Sequence, residues 1–271
     1  MNTFKGFGNG ISAYGKALDL IFSNGLWWYF LFPVALNVII FVGGIYGIGA
    51  LTETVEHWLV EIVSLDGATF WGAVYLKSIM GGFVWVFFKF VFFILFATVG
   101  GYLIIMIMSP VFALLSEKTE EILTGNKYPF NGDQLMRDVV RGVLVALRNM
   151  FIELGFMIVF FIVGFIPVIG QFAAVLLFVI SSYFYGFAFI DYTNERRRIS
   201  ISQSVAFIKK NRGMAIGNGF VFALAMLVPF CGTTIAGFVA IVSVVAATIS
   251  THKIVDLSDN PYAKHQNKIG Q

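Results

Sequence analysis

The stretch "LGFMIVFFIVGFIPVIGQFAAVLLFVISSYFYGFAFI", Leu154–Ile190, holds no charged residue and carries Pro167 and Gly170 near its middle. It is longer than the roughly 20 apolar residues that cross a bilayer as a helix. A proline and a glycine together interrupt a helix wherever they fall in its interior. One straight span therefore does not account for the stretch, whereas two helical arms joined at the breaker do. The pattern returns. Gly155, Pro167 and Gly170 recur 62 residues later as Gly217, Pro229 and Gly232, so that Met214–Ser250 carries the same G-x11-P-x2-G spacing.

In both copies the arm ahead of the breaker has about 15 residues, or about 22 Å of helix, against a hydrocarbon core of about 30 Å. The lengths predict two Pro/Gly-broken helical hairpins that enter from the cytoplasmic side and turn inside the membrane. The returning arms, Gln171–Ile190 and Thr233–Ser250, are longer, so two full crossings per stretch stay open as the alternative. Broken backbone at membrane depth must be buried in protein or face water, because lipid satisfies no amide. Paired interrupted segments of this kind point to a transport site, with helix N-termini offering N–H groups to an anion. Gly170, Gln171, Gly232, Thr233 and Thr234 are the candidate pathway groups at the two breakers.

Working outward, the 271 residues are 58% apolar and 12% charged, about half the usual charged fraction of a soluble domain. Leu26–Leu51 is free of charge, and Ser78–Leu115 is broken only by Lys89. The chain is thus an integral membrane protein, and soluble enzyme classes are excluded first. Of the 18 Lys and Arg, 16 lie in residues 1–25, 116–153, 191–213 and 251–271, while residues 52–77 hold Lys77 against Glu53, Glu56, Glu61 and Asp66. The positive-inside rule then puts both termini and the two basic connections in the cytoplasm and residues 52–77 outside. Basic residues beside membrane segments are topology signals before they are nucleic-acid contacts, so no nucleic-acid partner is expected.

Phe4, Phe7, Ile11, Tyr14, Leu18 and Ile21 recur every three or four positions, so residues 1–25 suit an amphipathic interfacial helix. They contain no continuous apolar core of a cleavable signal, and the start is read as mature. The first long spanning helix carries Gly43 and Gly47 one turn apart, a close helix contact. The second, 38 residues from Ser78 to Leu115, would run about 57 Å and overhang the bilayer. Lys89 reads either as an ion-path residue or as a side chain snorkelling to the outer interface among Trp85, Phe87 and Phe88. Residues 26–115 thus hold the two long helices, followed by the basic segment 116–153, hairpin 154–190, basic loop 191–213, hairpin 214–250 and tail 251–271.

Within 116–153, Gln134–Phe151 reads as a separate basic helix with Arg137, Arg141 and Arg148 on one stripe and Leu135, Val139, Val143, Ala146 and Met150 opposite. Such a stripe holds anionic lipid headgroups or forms a cationic vestibule that concentrates an anionic solute. No nucleotide loop, zinc motif or nucleophile elbow is present. Catalysis, cofactor and metal are accordingly not expected. The single cysteine, Cys231, excludes an intrachain disulfide.

With the hairpins placed, the chain resembles the CysZ-type sulfate permeases of the etoposide-induced-protein superfamily, from about Phe7 to Lys253. The likeness rests on "GLWWYFLFPVALN" (Gly25–Asn37), "SPVFALLSEKTEEILTG" (Ser109–Gly125), "IPVIG" (Ile166–Gly170), "DYTNERRR" (Asp191–Arg198) and "NRGMAIGNGF" (Asn211–Phe220) followed by Pro229. The resemblance implies an all-α integral membrane protein of the bacterial inner membrane, assembled as a homo-oligomer. Its fold would comprise an amphipathic N-terminal helix, two long transmembrane helices and two hairpins partly penetrating the membrane. It also implies passive or gradient-driven sulfate uptake without an ATPase domain.

In those permeases the segment matching "GLWW" typically carries arginines, which resemble an anion site at a helix start. Here the matching positions are Trp27 and Trp28, after Gly25 and Leu26, whose backbone N–H groups remain. An indole has one donor and no charge, a guanidinium five donors and a fixed charge. The pair equally fits an interfacial aromatic belt. The sequence therefore supports a CysZ-like transport protein, a passive permease or channel for sulfate or another small solute. Its alternative is a non-transporting membrane scaffold or lipid-interacting protein on the same fold.

Overall fold

The computed structural model describes residues 2–39, 99–127, 130–166, 169–228 and 231–257, and among them every regular element is helical. The chain falls into two compact units, Met1–Pro33 with Ala97–Gln271, and Val34–Phe96. Of the second unit only residues 34–39 are described, and they are helical. Gly43, Gly47, residues 52–77 and Lys89 lie outside the described residues, as do Pro167 and Pro229.

In the first unit α1 (Thr3–Ser23) is capped by the Asn2 side chain, which accepts from the Phe4 N–H. A 3-10 turn at Leu26–Phe30 leads into α2 (31–39). Then come α3 (Val99–Ile107), α4 (Ser109–Thr124), α5 (Gly132–Gly164), α6 (Ile169–Arg196), α7 (Ile201–Lys210), α8 (Arg212–Met226) and α9 (Gly232–His252). The segments Gly132–Gly164, Phe172–Arg196 and Thr234–His252 are each long and apolar enough to cross a membrane. The number of candidate spans reaches five when α1 with Leu26–Ile39, and α3 with α4, each count as one bent span. The protein is therefore an all-α, multi-pass membrane protein.

The central element is α9, which packs on α1, α4, α6 and α8. Ala236, Ala240, Val244, Val245, Ala246 and Ala247 along it are buried. Small residues govern the neighbouring contacts as well. In α1 the buried face is Gly6, Gly10, Ala13, Ala17 and Ile21, while Phe4 and Leu18 of the expected apolar stripe point outward. Lipid tails are as apolar as leucine, so helices in a bilayer gain by close backbone approach and not by burying bulk. A Cβ on Gly10 would stand 2.7 Å from the Met214 carbonyl oxygen, and one on Gly217 would collide with that of Phe7. These contacts seat α1 against α8.

One element differs from its sequence reading. The basic helix expected over Gln134–Phe151 does not stop before the hairpin but runs on to Gly164 as a single 33-residue helix, about 50 Å long. Asn131 caps its start, its side chain accepting from the Gln134 N–H at 3.0 Å. Nothing within it breaks the backbone, since Met, Arg, Leu and Ala are all strong helix formers. Its buried face is Asp138, Gly142, Val145, Ala146, Asn149 and Glu153, whereas Met136, Val140 and Leu144 are exposed. The second hairpin is shorter: Asn211 separates α7 from the 15-residue α8.

Candidate functional site

The helices leading into the two breakers end alike. At the end of α5, Phe165 N–H donates to Ile162 C=O at 3.3 Å and Ile166 N–H to Val163 C=O at 3.0 Å. At the end of α8, Leu227 N–H donates to Leu224 C=O at 3.1 Å and Val228 N–H to Ala225 C=O at 3.2 Å. Each donor and acceptor in one turn lies 62 positions from its counterpart. The glycines match too. A Cβ on Gly170 would run into the Gly164 carbonyl, and one on Gly232 would stand 2.7 Å from that of Met226. Both glycines thus let the returning helix start against the last turn of the outgoing one. Gly155 and Gly217 are not equivalent: a side chain at Gly155 meets nothing within 4 Å, whereas Gly217 lies on α1.

Of the pathway candidates at the breakers, Gln171 and Thr233 lie in the first turns of α6 and α9 by backbone, and their side chains are outside the described residues. Thr234 is exposed, and Gly232 is buried. At the other candidate position Gly25 has φ of 70°, a left-handed conformation suited to glycine, and reverses the chain after α1. Leu26 and Tyr29 then turn inward, at 6% and 3% exposure, while Trp27 and Trp28 turn outward at 56% and 42%. Trp28 stacks on Tyr29 with ring centroids 4.0 Å apart.

The three arginines of the expected stripe have three different environments. Arg137 is exposed and donates to the Gln134 side chain at 2.8 Å. Arg141 grips Asp191 with two bonds, Nε–Oδ2 at 3.0 Å and Nη2–Oδ1 at 3.1 Å, and also pairs with Glu195. Its Nη1 donates to the Ile199 carbonyl at 2.6 Å. Arg148 donates to Asn149 Oδ1 at 3.0 Å and lies over the Phe187 ring, 5.6 Å from its centroid. Arg141 is thus already neutralised by carboxylates, unlike the other two.

The "DYTNERRR" motif proves to be the hub of a buried polar layer. Arg196, 2% exposed, pairs with Glu120 at 2.8 Å, and its Nη2 donates to Ser116 Oγ at 2.9 Å. Ser116 and Thr193 each share a hydrogen bond with Thr248 of α9, at 2.9 and 3.2 Å. Tyr192 donates to Ser109 Oγ at 3.0 Å, and Asn194 to Ser204 Oγ at 2.9 Å, which in turn donates to Asp191. The layer ties α4, α5, α6, α7 and α9 together. Just beyond it burial pushes the Arg197 guanidinium down, opposed by the charge of Glu120. Two guanidinium groups here face three carboxylates, so the layer itself does not attract an anion.

Two further buried polar clusters lie deeper. Glu153 accepts from Tyr102 Oη at 2.6 Å and from Ser181 Oγ. Tyr14 reaches Ser243 at 2.7 Å and donates to the Asn218 carbonyl, while the Asn218 amide donates to Ser250 Oγ at 2.8 Å. The hydroxyls of Ser243 and Ser250 in α9 were the visible trace of the Tyr14 cluster in the sequence. Among the described residues there is no cluster of His, Cys, Asp and Glu that could hold a metal ion.

The chain is similar to the sulfate transporter CysZ of Pseudomonas fluorescens strain Pf0-1, 27% identical over 79% of this chain and 82% of that protein. It is likewise similar to the sulfate transporter CysZ of Pseudomonas syringae pv. tomato, at 26% over 79% and 81%, and of Vibrio parahaemolyticus, at 26% over 82% and 86%. Residues 13–236 match the family described as sulfate transporter CysZ/etoposide-induced protein 2.4, a stretch running from inside α1 to the start of α9 and covering both breakers. The chain belongs to that family.

Proposed function

We propose that the protein is a passive sulfate permease of the bacterial cytoplasmic membrane, with both termini in the cytoplasm and no ATPase of its own. The observation that carries the proposal is the matched pair of helix ends at the hairpins, with two hydrogen bonds and one close glycine approach each at the 62-residue offset, in a chain of this family. Helix starts at such turns aim backbone N–H groups at an anion without committing a fixed charge. Arg137 and Arg148, with no carboxylate partner among the described residues, supply positive potential at the cytoplasmic mouth. Family likeness also favours a homo-oligomer, with the apolar outer faces of α5 and α6 toward lipid or a second copy.

A second reading, a scaffold that transports nothing, is favoured by one observation: Trp27 and Trp28 stand outward where the permeases carry arginine. Sulfate uptake into proteoliposomes decides between them, comparing the native chain with Trp27→Arg, Trp28→Arg at equal reconstitution. Uptake by the native chain supports the permease. Uptake by neither protein above empty vesicles refutes it, and uptake by the variant alone assigns the native chain to the scaffold reading or to a less charged solute.

A further inference from the structure

A groove of about 290 Å³ is lined by Phe156, Val179, Ile180 and Ile216 of α5, α6 and α8 together with the cations Lys209 of α7 and Arg212 of α8. Both cations are exposed, and neither has a carboxylate within ion-pair distance among the described residues. The Arg212 Nε touches only Thr3 Oγ1, at 3.5 Å. A third cation, Arg148, lies over the Phe187 ring, whose centroid is 6.3 Å from that of Tyr183 in the groove wall.

Depth along the chain orders these groups. Lys209 and Arg212 immediately precede the apolar stretch that begins at Met214, so they lie at the level of lipid headgroups. Val179 and Ile180 lie well inside the other apolar stretch, Leu154–Ile190, at the level of acyl chains, and Phe156 lies two residues from its start. Cations above and an apolar trough below follow the order of a phospholipid. A free anion has no use for the trough, and a zwitterionic lipid would bring a cation of its own against those already there.

We propose that this groove binds one anionic phospholipid, with its phosphodiester between Lys209 and Arg212 and an acyl chain along Phe156, Val179 and Ile180. The site does not depend on sulfate transport. Basic residues beside a membrane surface each favour an anionic headgroup by about 1 kcal/mol, so the pair should favour anionic over zwitterionic lipid by on the order of tenfold or more.

Native mass spectrometry of the full chain in detergent tests this, with dioleoylphosphatidylglycerol and dioleoylphosphatidylcholine as probes. The expected result is retention of phosphatidylglycerol by the native protein, lost to the level of phosphatidylcholine in Lys209→Gln, Arg212→Gln. Both side chains are exposed, so this variant folds. Filling the trough with Val179→Trp should weaken phosphatidylglycerol retention while leaving the cations in place. Equal retention of the two lipids by the native protein overturns the proposal, as does undiminished retention by the double Gln variant. Displacement of phosphatidylglycerol by inorganic phosphate at equal concentration, with no effect of Val179→Trp, also overturns it and makes the site a phosphate site.

Discussion

Gly219→Ala should destabilise the protein, while Gly155→Ala, the same change in another helix, should not. A Cβ on Gly219 would stand 2.5 Å from the Gly186 backbone nitrogen and 2.9 Å from the Ser182 carbonyl carbon, with the Ser182 oxygen closer still. Ordinary contact begins at 3.4 Å. The atoms met are backbone, so no rotamer change relieves them, and α6 and α8 must part by more than 0.9 Å, since that distance (3.4 less 2.5 Å) relieves only the Gly186 contact and the Ser182 oxygen is closer. A gap of 0.5–1 Å forfeits roughly a quarter to a half of each van der Waals well along the seam. Overpacking of this kind costs about 1–3 kcal/mol, occasionally more, against a helix-propensity gain of about 1 kcal/mol.

The net loss is up to about 2 kcal/mol, equivalent to an apparent Tm lower by up to roughly 8 °C, with the multiple backbone clashes placing it toward the upper end. At Gly155 no atom lies within 4 Å of the added methyl, so only the propensity gain remains, about 0.5–1 kcal/mol in favour of the variant. Thermal unfolding of both variants in one detergent, followed by the fraction remaining monodisperse, reads the difference. If Gly219→Ala unfolds at or above the native temperature, the close apposition of α6 and α8 is wrong.

Two further outcomes follow from the same structure. Arg196→Met should cost about 3–5 kcal/mol by removing the guanidinium that pairs with the buried Glu120 carboxylate, and most of that loss should return in Glu120→Leu, Arg196→Met; thermal unfolding of the two variants checks it. Cys231, exposed at the second breaker and the single cysteine of the chain, should react with a membrane-impermeant maleimide in open membrane fragments if the turn faces water, and labelling only after detergent would contradict a pathway there.

How much of this could be read in advance varies by element. The hairpins were legible because Pro167, Gly170, Pro229 and Gly232 punctuate otherwise uniform apolar runs, and punctuation is local. The continuity of α5 was not, because Arg148 and Glu153 suggested a boundary in composition where the backbone has none. In α1 the bulky residues carried the periodicity, yet the fold uses the weaker stripe of Gly6, Gly10 and Ala13. The polar layer was hidden for a different reason. Arg196 and Glu120 lie 76 positions apart, and Arg141 and Asp191 50 apart. Pairing at such separations is a property of the packed bundle, so an arginine stripe on one helix could not reveal that its middle member was already paired.

The most direct test of the central claim is efflux of radiolabelled sulfate from proteoliposomes containing the native chain, with no nucleotide present and the membrane potential clamped at zero. The account predicts efflux down the sulfate gradient, faster than from protein-free vesicles and in proportion to the protein reconstituted. Efflux indistinguishable from that of empty vesicles would contradict it.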